Sequence, residues 1–203
     1  MASQLTARGV ATRGKILAAA AAEMHDHGVA GFTMDRVCER GGVSKSQLYH
    51  FVSSREALIQ AVASTTVSDV LSLQTELFAG LTSLEGFRTW AKALVALQWE
   101  RGGEGGCPIG TLHSQLDDHH RLAQLVLREG FDQWTAAIRN GLAAMQAAGE
   151  LPASCDIDEQ ARLFLVAIQG GLLLTDAHRD PSWLEQALND RLSALAALVA
   201  AGN

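Results

Sequence analysis

The sequence is poor in residues that cross-link or interrupt a chain. Only three of its 203 residues are cysteine and only three are proline, and the cysteines, Cys38, Cys107 and Cys155, are an odd and widely scattered set. A chain of this length buries enough surface to fold without disulfides. The cysteines therefore predict free thiols and a reducing, cytoplasmic location.

Long hydrophobic runs are also missing. The longest stretch without a charged side chain, Leu163 to Thr175, has 13 residues, whereas a membrane-spanning helix needs about 20. We therefore expect no membrane span. Basic residues before Ile16, Leu17 and five alanines imitate a signal peptide, but this apolar run is short and weakly hydrophobic.

Positive charge is scarce, with 16 Lys and Arg against 22 Asp and Glu and a net charge of −6. Taken alone, this total argues against a nucleic-acid partner, because a polyanion prefers a basic surface. The charges are unevenly distributed, however. Residues 1–60 hold seven basic and five acidic side chains, net +2, while residues 61–203 carry net −8. The acidic excess thus lies outside the first 60 residues.

Helix-forming residues dominate the composition, with 33 Ala and 28 Leu against a single Tyr. This predicts an all-α fold of about nine helices. The first is expected to run from a cap at Thr12 to a stop at Gly28. Two short helices follow at about 34–40 and 44–51, and another begins after Ser53 in a capping-box sequence. The rest are expected at about 83–101, 109–117, 119–148, 156–178 and 181–203.

Residues 33–51 are the most informative segment. Two short predicted helices flank Gly41-Gly42-Val43, and Val37 and Leu48 are placed so that the second helix packs across the first. This pattern indicates a helix-turn-helix motif, whose second helix enters the major groove of DNA. A helical hairpin that does not bind DNA is the alternative.

The second helix of the motif carries side chains suited to DNA. Its cap, Ser44, turns the positive helix end toward DNA, and Gln47 favours adenine while Lys45 favours guanine. An ordinary solvated helix face is the alternative for each polar residue. The predicted base contacts are Ser44, Lys45, Ser46 and Gln47, and the predicted phosphate contacts are Thr33, Tyr49, His50 and Arg55.

The stretch from Arg13 to Val62 resembles the N-terminal domain of TetR/AcrR-type transcriptional regulators. The positions that carry the resemblance are Ile16-Leu17, Ala20, Gly28, Phe32-Thr33, Val37, Gly42-Val43-Ser44, Leu48-Tyr49 and Ser54-Arg55-Glu56-Ala57-Leu58. Phe51 and Val52 depart from the family pattern of Tyr or His followed by Phe, which would remove one phosphate contact.

The resemblance implies a DNA-binding domain over residues 1–53 and an effector-binding and dimerisation domain over 54–203. It also implies a homodimer that binds a palindromic operator in double-stranded DNA and is released by a small molecule. A helical small-molecule binder or enzyme that has lost DNA recognition is the second hypothesis.

The C-terminal part is similar to the LmrA/YxaF-like branch of these regulators, through Gly106-Cys107-Pro108-Ile109-Gly110 and residues 168–174. That similarity implies dimerisation through the last two helices and a ligand chamber in helices five to eight. Leu188, Leu192, Leu195 and Leu198 repeat at the spacing of a helix-bundle face, with the chain's own core as the alternative. Gly170-Gly171 inside a helix suggests close approach of a partner helix or ligand.

Aromatic residues on these helices predict an apolar or aromatic effector, although aromatic residues at helical spacing also suit a plain core. Trp99 is a further aromatic residue on the same helices. The predicted ligand-binding residues are Trp90, Leu94, Leu112, His113, Leu116, Phe131, Trp134, Phe164, Ile168 and Gln169.

A catalytic or metal-binding site is the remaining alternative to this interpretation. No pair among His113, His119, His120, His178 and Cys107 has the spacing of a helix-borne metal site. A phosphate loop, a nucleophile elbow and a carboxylate pair in a motif context are all missing. We therefore expect neither catalysis nor a metal or other cofactor. Cys107 in its glycine-rich segment suits packing better than redox chemistry.

Overall fold

The computed structural model describes residues 6–202 and contains helices and turns, with no β-strand in this range. The predicted all-α fold is confirmed. The helices are α1 (Ala7–Gly31), α2 (Met34–Gly41), α3 (Lys45–Phe51), α4 (Arg55–Ser72), α5 (Thr75–Ala79), α6 (Leu84–Glu100), α7 (Pro108–Ser114), α8 (Arg121–Ala147), α9 (Ile157–His178) and α10 (Ser182–Gly202), with a 3₁₀ turn at Asp118–His120 before α8. None of these helices is long and apolar enough to cross a membrane.

Helix α1 differs from its predicted bounds at both ends. It begins at Ala7, because the Thr6 hydroxyl accepts the Gly9 N–H at 3.2 Å, and Thr12 lies inside it. Gly28 interrupts the helix rather than ending it. Its backbone has φ 71° and ψ 163°, and helical turns resume as far as Gly31. A positive φ of this size is adopted most readily by glycine.

Other helix ends agree with the sequence more closely. Asp156 caps α9 through the Glu159 N–H at 2.9 Å, as its position predicts. The predicted capping box of α4 is wrong by one residue, because the hydroxyl of Ser54, not Ser53, accepts the Ala57 N–H. Helix α5 was not predicted, since five residues carry too little periodicity to be recognised.

Contacts divide the described chain into two compact units. The first contains residues 6–69 together with Leu112–Arg128, and the second contains Val70–Thr111 together with residues 129–202. Most of α4, as far as Asp69, and residues 112–128 belong to the same unit as the three N-terminal helices. The predicted boundary after residue 53 stays a prediction.

The first unit is built on α1, across which α2 packs closely. A Cβ at Gly41, the last residue of α2, would lie 3.3 Å from the Ala19 Cβ, so a small residue is needed there. Gly42 follows with φ 60° and ends α2 in the left-handed conformation. Val37 and Leu48 are fully buried, as the helix-turn-helix pattern predicts.

One carboxylate is buried in the first unit. The Glu23 side chain on α1 is 5% exposed, and its Oε1 accepts a hydrogen bond from Arg40 Nε at 2.7 Å. Arg40 also donates to Asp26 through Nη2 at 2.6 Å, and this bond lowers the pKa of Asp26. A single arginine at the end of α2 therefore pairs with two carboxylates on α1.

In the second unit, α9 and α10 form a helical hairpin whose turn contains Arg179 with φ 55°. A Cβ at Gly171 of α9 would lie 2.9 Å from the Leu184 Cα of α10, so this glycine allows the two helices to approach closely. Gly170 is exposed and has no such neighbour within 4 Å. The predicted close approach at this glycine pair is therefore found within the chain at Gly171 alone.

The leucine face of α10 is not available to a second protomer. Leu188, Leu192 and Leu195 are buried within their own chain, and Leu198 is half-buried. The prediction that these leucines form the dimer seam is wrong, because they cover the protomer's own core. The alternative, in which this face packs against the chain's own core, is the correct one.

Replacing Arg40 with methionine should destabilise the first unit. The change leaves the Glu23 carboxylate buried without its charged donor, which we expect to cost about 1–3 kcal/mol of unfolding free energy, measured by urea denaturation at pH 7. The double variant Arg40→Met, Glu23→Gln should recover part of this loss, because a neutral amide is easier to bury. Strictly additive effects of the two changes would contradict the assignment.

Candidate nucleic-acid interface and effector site

The N-terminal turn of α3 is held by a reciprocal pair of hydrogen bonds. The Ser44 hydroxyl accepts the Gln47 N–H at 3.1 Å, and Gln47 Oε1 accepts the Ser44 N–H at 2.9 Å. This capping box fixes the helix start at Lys45. The turn therefore presents its side chains from a defined backbone, as a base-reading helix requires.

The structure exposes most of the residues predicted to contact DNA. Only Leu48 of α3 is fully buried, and Tyr49 is 52% exposed although it is an aromatic residue. The exposed members of the predicted set are Thr33, Ser44, Lys45, Ser46, Gln47, Tyr49 and His50. They lie on α3 and at its cap, apart from Thr33, which caps α2 by accepting the Arg36 N–H at 3.3 Å.

Lys45 has an acidic partner that the sequence pattern did not reveal. Its Nζ lies 2.8 Å from an oxygen of Asp35 on α2, and both side chains are about two-thirds exposed. The hydrogen bond to Asp35 raises the pKa of Lys45, so the ammonium stays charged. In the free protein, however, Asp35 offsets the charge that Lys45 would offer to DNA.

The side-chain oxygen of Gln47 is also engaged within the protein. A two-point contact with adenine uses the amide oxygen to accept from the base and the amide nitrogen to donate. Because Oε1 already accepts the Ser44 N–H, the amide nitrogen is the part best placed to reach a base edge. The predicted preference for adenine would thus require a change in the capping box.

Arg55 is less exposed than a phosphate contact suggests. Its guanidinium lies over the Phe32 ring, 4.4 Å from the ring centre, and Nη2 donates a hydrogen bond to the Val29 carbonyl. Phe51 and Val52 are the two positions that depart from the family pattern. The Phe51 ring contacts the His50 ring edge-on, with 5.0 Å between the ring centres, and Val52 is buried.

The aromatic residues predicted for the effector chamber include a tightly packed cluster. Trp90 is fully buried, and its ring centre lies 6.2 Å from that of Phe87 and 6.3 Å from that of Phe164. Its indole N–H donates to Gln74 Oε1 at 2.9 Å. Because Trp90 is closely packed and its N–H is hydrogen-bonded, these contacts favour the alternative in which Trp90 and Phe164 are core residues rather than ligand contacts. Trp99 is 56% exposed and belongs to no such cluster.

A second group gathers around Gly110 of α7. A Cβ at this position would lie 3.2 Å from Gln169 Oε1 and 3.9 Å from Phe131, so the glycine brings α7, α8 and α9 together. Cys107 is buried beside them. Burial raises the pKa of the Cys107 thiol, and hydrogen bonds from backbone groups and Gln169 act in the opposite direction. This is the environment of a packing residue rather than a reactive thiolate.

The remaining predicted ligand residues do not all join these two groups. Ile168 is buried, Leu94 is half-buried, and Trp134 is buried with its indole N–H unpartnered. Leu112, His113 and Leu116 belong to the first unit, where they are buried, exposed and half-buried respectively.

A groove of about 400 Å³ runs between α6 and α10 in the second unit, and none of the predicted ligand residues lines it. Its lining comprises Arg88, Ala91, Lys92 and Val95 of α6 and Glu185, Leu188, Asn189, Leu192, Ser193 and Ala196 of α10. Within residues 6–202, no cluster of three or more His, Cys, Asp or Glu side chains could hold a metal ion.

The sequence pattern does not indicate the partners of Asp35, Gln74 and Gln115. Asp35 and Gln74 pair with residues 10 and 16 positions away on another helix, and Gln115 accepts the Val29 N–H across 86 positions. Polar residues in short or aperiodic segments carry no signal of such partners. These contacts could be found only from the folded chain.

The three N-terminal helices, the capped α3 and the helical second unit define the class of a helix-turn-helix regulator. A family model described as bacterial regulatory proteins, tetR family, matches residues 16–62. Another, described as the tetracyclin repressor-like C-terminal domain, matches residues 83–190, more than half of the chain. The protein belongs to the TetR family of transcriptional regulators. The narrower LmrA/YxaF-like resemblance stays a prediction, because the matched model does not single out that branch.

Solved structures share this fold. A TetR regulator from Chloroflexus aurantiacus is 25% identical with a TM-score of 0.79, and the match covers 94% of this chain and 97% of that one. A TetR-family regulator from Cytophaga hutchinsonii is 17% identical with a TM-score of 0.79, covering 96% and 98%. The reduced form of NemR from E. coli is 20% identical with a TM-score of 0.71, covering 89% and 95%. The last two matches show the fold alone. No curated protein matches the chain significantly.

Replacing Asp35 with asparagine should strengthen binding to DNA of any sequence. The change releases Lys45 and removes a carboxylate beside α3, so the plot of log affinity against log salt should steepen by up to about one unit. Fluorescence anisotropy with a random-sequence duplex over a salt series measures this. Asp132→Asn, an exposed change in the second unit, is the control. An unchanged slope for Asp35→Asn would show that Lys45 does not approach DNA.

Proposed function

We propose that the protein is a homodimeric transcriptional repressor that reads a palindromic operator through α3 and leaves it when a small apolar or aromatic ligand binds. The observation that carries the proposal is the capped first turn of α3 with Lys45, Ser46 and Gln47 exposed. Side chains in this turn meet base edges when the second helix of the motif enters a major groove. The reducing cytoplasm is the compartment that suits its three free thiols.

The phosphate contacts proposed for this protein divide into two kinds. Tyr49 and His50 are exposed on α3 and can donate directly, and Thr33 stands at the cap of α2. Arg55 already donates to Val29 and lies over Phe32. We infer that Arg55 acts mainly by holding the DNA-binding helices in position, with its remaining donors directed to a phosphate.

Helix α9 supports dimerisation better than α10 does. Its exposed residues Leu163, Val166, Gly170, Leu173 and Ala177 repeat at intervals of three and four, the spacing of a helix-packing seam. Gly170 leaves the middle of this stripe open, because a Cβ at this position would meet no other part of its own chain within 4 Å. We propose that a second copy of α9 fills this opening across a two-fold axis, with the exposed face of α10 beside it.

The effector proposal gains support from one buried donor. Trp134 Nε1 is a buried N–H donor without a hydrogen-bond partner among the described residues. A buried donor left unpaired costs about 1–3 kcal/mol, so a ligand that carries an acceptor oxygen or nitrogen would gain by meeting it. We therefore infer an effector that is largely apolar but bears at least one acceptor. Native mass spectrometry of the purified protein would identify a retained molecule of this kind.

Selection from a random-sequence duplex library should yield a palindromic operator. Because the proposed contacts converge on the first turns of α3, the double variant Lys45→Ala, Tyr49→Ala should bind the selected duplex at least about tenfold more weakly, measured by anisotropy at a stated salt concentration. Lys92→Ala, an exposed change in the second unit, should bind as the unmodified protein does. Selection of no consensus sequence, or unchanged binding by the double variant, would refute sequence-specific regulation through α3.

Adjacent glycines on α9 allow folding and dimerisation to be separated. Gly171→Ala places a Cβ 2.9 Å from the Leu184 Cα and should lower unfolding stability by about 1–3 kcal/mol through overpacking. Gly170→Leu should leave the helical circular dichroism spectrum unchanged but weaken dimerisation at least about tenfold in sedimentation experiments. A Gly170→Leu protein that dimerises normally would place the seam elsewhere.

A further inference from the structure

Val29 lies at the junction between the long helix α1 and the helix-turn-helix motif. The break at Gly28, with φ 71° and ψ 163°, interrupts the regular hydrogen bonds of α1 one residue earlier. Val29 is only 1% exposed, so its own N–H and C=O groups have little access to water. Buried backbone groups of this kind need partners from elsewhere in the chain.

Two distant side chains supply those partners. Gln115, from the connection between α7 and α8, accepts the Val29 N–H through Oε1 at 2.9 Å. Arg55, the first residue of α4, donates through Nη2 to the Val29 carbonyl. We call Gln115, Val29 and Arg55 the Val29 clamp. It joins three segments that are far apart in sequence at one backbone position.

The Val29 clamp is continuous with the DNA-binding helices. Arg55 also lies over the ring of Phe32, which is buried, and the next residue, Thr33, caps α2. Helix α2 in turn packs on α3 through buried residues. Loss of either hydrogen bond to Val29 would thus free the bend that sets the direction of α2 and α3 relative to α1 and α4.

Gln115 comes from a segment that packs with the first unit but is continuous with the second. Residues 112–128 belong to the first unit, while α7 and α8, which contain its two ends, both extend into the second.

We propose that Gln115 is a positioning residue for operator binding: it holds the bend at Val29 and so transmits the placement of the 112–120 segment to α2 and α3. The inference rests on the proposed function, because it assumes that α3 reads an operator. The predicted effector residues Leu112, His113 and Leu116 lie on either side of Gln115. A ligand that displaced this segment would therefore act on the hydrogen bond to Val29.

Two substitutions at position 115 isolate the hydrogen bond. Gln115→Met keeps a similar length but has no acceptor oxygen, whereas Gln115→Glu retains one. Residue Gln115 is exposed overall, so neither change disturbs a packed core. Gln133→Met, at an exposed position of α8 in the second unit, repeats the same chemical change away from the Val29 clamp and serves as the control.

Operator affinity is the first measurement, made by anisotropy with a duplex selected by the unmodified protein. Gln115→Met should bind about fivefold more weakly, the size expected of one ordinary hydrogen bond. Gln115→Glu and Gln133→Met should both stay within about twofold of the unmodified protein. A purely structural role would lower the melting temperature of Gln115→Met without changing the affinity of the folded protein.

Amide hydrogen exchange at residues 28–33 is the second measurement. If the closed Val29 clamp favours operator binding, linkage requires that operator binding favour the closed clamp. Exchange of the Val29 amide in the unmodified protein should therefore slow when the selected duplex is added. In Gln115→Met the amide should exchange faster in the absence of DNA.

The two hypotheses fail in different ways. If the unmodified protein selects no operator, the proposed function is wrong and the positioning role falls with it. If it selects one but Gln115→Met binds as tightly, or Gln115→Glu binds no better than Gln115→Met, only the positioning role is wrong. Unchanged exchange of the Val29 amide on adding the duplex would also contradict it.

Discussion

The need to satisfy the backbone of Val29 is the constraint on which the arrangement of the first unit depends. A helix interrupted inside a protein leaves N–H and C=O groups without their regular partners. Here the interruption at Gly28 is matched by Gln115 and Arg55, which belong to two other parts of the chain. The bend that directs the chain from α1 into α2 is therefore supported by α4 and by the segment before α8. Residues beyond position 53 thus complete the hydrogen bonding of this bend.

The same unit uses much of its positive charge internally. Arg40 pairs with Glu23 and Asp26, Lys45 faces Asp35, and Arg55 is directed to Val29. Three of the seven basic side chains in the first 60 residues are therefore already engaged within the chain. Affinity for arbitrary DNA should be modest, since that affinity follows the number of phosphates neutralised. Under the proposed function, recognition would then depend on the geometry of α3 rather than on a strongly basic surface.

Glycine has different roles at neighbouring positions of α9. Gly171 allows α10 to approach within the chain, whereas Gly170 opens a site on the exposed apolar stripe. The leucines of α10, which have the more regular pattern in sequence, are buried in their own core. An apolar repeat shows that a helix face is covered, but not whether the cover comes from the same chain or from a partner. The pattern of accessible surface makes that distinction.

Much of the fold could be predicted from the sequence. The evidence lay in the alanine and leucine content, the helix caps at Ser44 and Asp156, and the spacing of Val37 and Leu48 in the two-helix motif. These features depend on residues within a few positions of one another, so the sequence alone determined the all-α class, most helix positions and the helix-turn-helix family. Tertiary structure alone decided that Gly28 bends α1 instead of ending it, that Asp35 faces Lys45, that Trp90 packs in a core cluster and that Gln115 reaches Val29. Each of these depends on a partner brought near only by folding, and periodicity within one helix contains no information about that partner.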